Sequence, residues 1–195
     1  MGFLVLLSGT SLGEPQKSHE IEVKVATVEK VKTNLFKIHI TITNQGEVPL
    51  FFPKIGLGKP LEIYTLEIER FEPGRGWVAL PRHRELMHSY SDAVRIKARE
   101  TYDDEFLLDD PYVIPYWISF PHSKRVISLR GKLMLRVSYF AGSEEWDAYL
   151  SKLKAGEQLP ARADELLKKA RRALSEPFQL PRVGTRVEGP PSENK

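Results

Sequence analysis

From Ile21 to Tyr139 the apolar residues recur mostly at every second position, the period of a strand that buries one face and wets the other. Phe36, Ile38, Ile40 and Ile42 alternate with Lys37, His39, Thr41 and Thr43, so the first set predicts a core face and the second a solvent face. Ile21, Val23 and Val25, alternating with Glu22 and Lys24, predict a strand before it. Asn44, Gln45 and Gly46 then supply turn chemistry, because Asn and Gly tolerate positive φ. Leu61 to Leu80 predicts a hairpin, with Tyr64, Leu66 and Ile68 on one face and a turn over Pro73, Gly74, Arg75 and Gly76 before Trp77 and Val78. Val94 with Ile96, and the run Glu105 to Leu108, predict two more strands. Behind Gly131, Leu133, Leu135, Val137 and Tyr139 predict another. Such a series of short strands with no helix between them predicts a mainly β fold, an antiparallel β-sandwich.

Past Tyr139 the period becomes helical. Trp146, Tyr149, Leu150 and Leu153 fall on one stripe behind a Ser143 cap, with Glu144 and Glu145 in the first turn and Gly156 as terminator. A second helix from Pro160 places Ala163, Leu166, Leu167, Ala170 and Leu174 on one stripe. Ser175 to Leu180 returns to alternation and predicts the last strand, which makes the helices an insertion over 143–174. The expected organisation is a leader over 1–19, a sandwich over 20–181 and a disordered tail over 182–195, where almost nothing is apolar.

Three stretches, Ile40 to Gly46, Gly131 to Tyr139 and Ala173 to Phe178, resemble the second, penultimate and last strands of bacterial immunoglobulin-like domains of exported proteins. More loosely, they are similar to the domain of the intracellular proteinase inhibitor family. The resemblance implies a fold and assigns no functional residue. It departs from antibody-type domains, because the chain has no cysteine.

Composition narrows the function classes. The 195 residues are 41% hydrophobic and 28% charged, as in an ordinary globule, and their net charge is only +3. No basic and aromatic residues interleave on a nucleic-acid motif, so no nucleic-acid partner is expected. The apolar run Phe3 to Leu7, with a small-residue site at Ser11 and Gly13 before Glu14, reads as part of a signal peptide and predicts export to the periplasm or beyond. No stretch has the roughly 20 apolar residues that a membrane-spanning helix needs. With no cysteine there is neither a disulfide nor a thiolate metal site.

The candidate chemistry is sparse. His83 and His88 stand five apart, whereas a helical zinc-protease motif needs histidines four apart with a glutamate beside the first. Asp103, Asp104, Glu105, Asp109 and Asp110 crowd one strand margin and raise calcium as an idea. They lack the fixed offsets and central glycine of a calcium loop, and a strand sends Asp103 and Asp104 to opposite faces. No serine sits in a glycine-flanked elbow. Lys168, Lys169, Arg171 and Arg172, with Arg162 and Lys152, make the helical insertion basic, read first as a solvated face and second as attraction for anionic polymer or lipid. The segment Pro111 to Pro121 is the most unusual. Its Tyr112, Tyr116, Trp117 and Phe120 are the predicted binding residues, because aromatics on a proline-stiffened loop bring contact area at low entropic cost. The loop itself is read first as closing an open end of the sandwich over the core and second as such a contact surface.

These readings together predict a non-enzymatic exported binding or scaffolding module with no cofactor, no metal and no catalytic residue, whose partner is a protein or glycan at the cell envelope. The alternatives are a proteinase inhibitor that presents a loop and an enzyme with a site built across loops.

Overall fold

The computed structural model describes residues 20–53, 66–80, 93–113, 126–155 and 165–181. They form a mainly β, antiparallel sandwich with a helical layer against one outer face. Strand β1 (Ile21–Lys32) pairs with β2 (Leu35–Asn44), and β2 with β7 (Thr101–Asp109), giving a three-stranded sheet in the order β1-β2-β7. The second sheet runs β5-β4-β10-β3-β6, built from β3 (Leu50–Pro53), β4 (Glu67–Glu72), β5 (Gly76–Ala79), β6 (Ala93–Ile96) and β10 (Leu133–Ala141). Two short strands, β8 (Tyr112–Val113) and β9 (Val126–Ile127), form a separate pair.

Strand β10 is the hub. It pairs with β4 over Leu133 to Arg136, with β3 at Phe140 and Ala141, and with β11 (Arg171–Leu174) over Arg136 to Tyr139. Arg136 faces both Glu67 and Leu174, so β11 lies on the edge of β10 away from β4. Just past β11, Ser175 forms a parallel bridge to Val23 of β1. The two sheets are thereby stitched along one side. Ser175 also replaces a backbone partner: its Oγ accepts from the Leu135 N–H at 3.0 Å and donates to the Glu176 carbonyl at 2.8 Å.

The alternation read in the sequence is the burial seen. In β2, Phe36, Ile38, Ile40 and Ile42 are buried and their neighbours only partly so. They meet Leu133, Leu135, Val137 and Tyr139 of β10 in one core. A fully buried aliphatic side chain contributes about 1.5–3 kcal/mol, so this interior is the main source of cohesion.

A second core lies outside the sandwich. Helix α1 (Ser143–Lys154) sets Trp146, Tyr149 and Leu153 on Phe51 of β3 and Phe140 of β10, with Leu166 and Ala170 completing the cluster. Strand β3 reads as the unbroken run Leu-Phe-Phe-Pro and was not foreseen. It does not alternate because both faces are covered: Leu50 and Phe52 enter the main core and Phe51 the outer one.

Three expectations need correction. The helix N-cap is Gly142, at φ 83°, and Ser143 is already helical; a side chain at that φ would be strained, whereas glycine is not. Residues 165–167 are helical, but the second helix does not reach Leu174, because Arg171–Leu174 is strand β11. A continued helix would leave that edge of β10 without backbone partners, which costs more than the helical stripe gains. Third, the last strand foreseen over 175–180 consists of isolated bridges at Ser175 and Phe178. Residues 1–19 and 182–195 lie outside the described residues.

Candidate binding surface

The outer face of the three-stranded sheet carries every second residue of three long strands. Register brings Thr27, His39 and Glu105 into one row, Lys24, Thr41 and Asp103 into the next, and Glu22, Thr43 and Thr101 beyond them. The rows are linked by polar contacts. The Thr43 and Thr101 hydroxyls are 3.0 Å apart, and Lys37 Nζ lies 3.3 Å from Glu105 Oε1. His39 stands between two carboxylates, its Nδ1 3.5 Å from Glu105 Oε2 and its Nε2 3.6 Å from Glu29 Oε1.

A β-bulge between Val25 and Thr27 shapes this face. The extra residue, Ala26, shifts the register of β1 by one, so the inward positions change from Ile21, Val23 and Val25 to Val28. Beside the bulge is an open depression of about 320 Å³ lined by Ala26, Thr27, Glu29, His39, Thr41 and Asp103, among others. The face holds Glu22, Glu29, Asp103 and Glu105 against Lys24 and Lys37, so it is acidic on a chain whose net charge is +3. The ionic contacts of the His39 ring among the described residues are the carboxylates of Glu29 and Glu105. The chemistry offered is ionic and hydrogen-bonding contact.

The acidic residues foreseen at 103–110 are divided by the strand. Asp103, Glu105 and Asp109 project outward, while Asp104 is half-buried and accepts from the Tyr102 hydroxyl at 3.3 Å and the Glu105 N–H at 2.8 Å. Asp110 Oδ1 accepts from the Leu129 N–H at 2.9 Å, tying the end of β7 to the segment after β9. Among the described residues no group of three His, Asp or Glu side chains is placed to hold a metal ion. Among the described residues β7 is one of the two edge strands of its sheet, where carboxylates discourage pairing with a foreign strand.

Of the four aromatic residues singled out in the sequence, Tyr112 alone is within the described residues. It sits in β8 opposite Ile127, half-buried and packed against the main core. Tyr116, Trp117 and Phe120 lie outside the described residues, as do His83 and His88. Sequence reasoning placed His39 on a solvent face and went no further. The signal it passed over is the parity change from Val25 to Val28, which marks the bulge.

Arg136 forms a two-carboxylate contact within the second sheet. Its Nη1 is 2.7 Å from Glu69 Oε1 and its Nε donates to Glu67 Oε2 at 2.8 Å, with Glu69 buried. One guanidinium thus serves two carboxylates of the neighbouring strand, so this cluster ties β4 to β10.

No protein-family model and no curated protein matches the chain. Among solved structures, the X-ray structure of a Northeast Structural Genomics Consortium target, SoR45, aligns with 90% of this chain and 94% of its own, at 13% identity and a TM-score of 0.30. A likeness of that degree bears on neither activity nor site.

Proposed function

We propose that the protein is a non-enzymatic, exported binding module that receives a cationic partner, a lysine- or arginine-rich peptide segment, on the outer face of β1, β2 and β7. The observation that carries this reading is the open depression beside the β1 bulge, lined by Glu29, His39 and Asp103, with Glu105 paired to the other side of His39. A broad, acidic, half-exposed surface suits the flat contact of a peptide or protein partner, whose basic side chains such carboxylates attract. The export component rests on the apolar run Phe3 to Leu7 and the small residues ahead of Glu14.

The test is an NMR titration of the labelled protein with an oligolysine peptide at low salt, beside a hydrolase substrate panel. Amide shifts confined to residues 27–29, 39–41 and 103–105, and lost in Glu29→Lys/Glu105→Lys, are the expected result. Shifts centred elsewhere, or turnover that disappears in His39→Ala, would overturn the proposal.

A further inference from the structure

We infer that the helical layer is a second, oppositely charged contact surface, and that it docks the molecule peripherally on an anionic lipid surface. Lys154 ends helix α1, Lys168 and Lys169 follow the helical residues 165–167, and Arg172 lies in β11 opposite Ser138. Leu153, Leu166 and Ala170 share one apolar cluster, which carries Lys154, Lys168 and Lys169, while Arg172 stands beside it on β11, whose Ala173 faces the main core. All four are exposed.

Their lack of partners separates them from many other cations of the protein. Lys24, Lys37, Arg75, Arg99, Arg136 and Arg171 each hold a carboxylate. Lys154, Lys168, Lys169 and Arg172 hold none among the described residues. Glu165 is the one acid between 165 and 172. Of the α1 acids, Glu145 is held by Arg171, and Glu144 and Asp147 stand about 15 Å and about 10 Å from Lys154 along the axis at 1.5 Å per residue. Part of the charge at Lys154 answers the helix C-terminus, but Lys168, Lys169 and Arg172 are not needed for that.

The acidic strand β7 terminates the other sheet, so the field of the molecule is polarised and would orient it helical layer first on a negative surface. A lipid surface suits the patch better than a nucleic acid does. The aromatic rings of the layer, Trp146 and Tyr149, are buried against Phe51 and Phe140 and unavailable for stacking on bases. A cluster of this size on an amphipathic helical unit matches what a planar anionic bilayer attracts. The attraction is electrostatic and falls with salt.

The experiment is flotation of the full chain with vesicles of phosphatidylcholine, with and without phosphatidylglycerol, over a salt series. Expected is binding only to the phosphatidylglycerol vesicles, with Lys168→Gln lowering the partition coefficient roughly fivefold and Lys168→Glu/Lys169→Glu abolishing it. A control, Lys30→Glu/Lys32→Glu on β1, makes the same change in net charge and should retain binding. Circular dichroism of each variant checks that it folds. Equal binding to neutral vesicles overturns the inference. So does equal loss in both charge reversals, which would make the effect one of net charge. Binding of heparin or DNA through the same lysines without vesicle binding overturns it in favour of a soluble polyanion.

Discussion

Asn44 shows how one residue joins two turns. It is fully buried at the end of β2, and its Nδ2 donates to the carbonyls of Val48 at 2.8 Å, Lys97 at 3.0 Å and Ile96 at 3.2 Å. Its Oδ1 accepts from the Gly46 N–H at 3.0 Å, and its backbone N–H reaches the Glu100 carbonyl at 2.9 Å. The side chain therefore fastens the β2–β3 turn to the β6–β7 turn. Asn44→Ala takes the donor from one buried and two part-buried carbonyls and is expected to cost about 2–4 kcal/mol, read as a lowered denaturation midpoint at unchanged m. A loss near zero would show that water replaces the amide. At the β4–β5 hairpin, the hydrogen bond from Arg70, with Arg75 adding to it, holds the Glu72 carboxyl below its usual range. A lowered folded-state value means stability that is present above the unfolded value and lost as pH falls through the folded one. In Arg70→Met the Glu72 titration should move up toward the ordinary carboxylate range, as followed by carbonyl NMR. An unmoved titration would assign the depression to another group.

At the scale of elements, each strand or helix follows the surface it meets. The run from Arg171 to Leu174 fits a helical stripe, yet it extends because the edge of β10 is there to be paired and Ala173 fits beside Val137. Helix α1 depends on its apolar stripe. Trp146 stacks on Phe51 at 6.0 Å and on Tyr149 at 5.2 Å between ring centroids, and Phe140 lies 4.7 Å from Tyr149. Twelve residues make a marginal helix in water without such packing. Trp146→Ala should cost about 3 kcal/mol or more, and hydrogen exchange should locate the loss in residues 143–154 ahead of β2. Loss of protection at the same rate in both would show that the layers unfold as one unit.

Across the whole molecule, two cores lie on the two faces of one sheet, and Ser175 stitches that sheet to its partner. Carboxylates gather on β7, at the edge of the three-stranded sheet, and four exposed cations lie on and beside the helical layer. Much of this was legible in the sequence. Alternation along β2 and β10 settled which side chains meet in the interior, because a strand's period of two leaves one choice of face once one side is apolar. The stripe of α1 and the glycine-rich turn of the β4–β5 hairpin were equally plain, since each depends on neighbours a few residues away. Tertiary structure decided the rest. It made a strand of Leu50–Pro53, where burial on both faces erases alternation, and ended the second helical segment before Arg171, where an open ladder competed with local propensity. It also brought His39 between Glu29 of one strand and Glu105 of another, a meeting that depends on register and on a one-residue bulge. Local periodicity fixes the direction in which a side chain points, and only the pairing of distant segments fixes what it finds there.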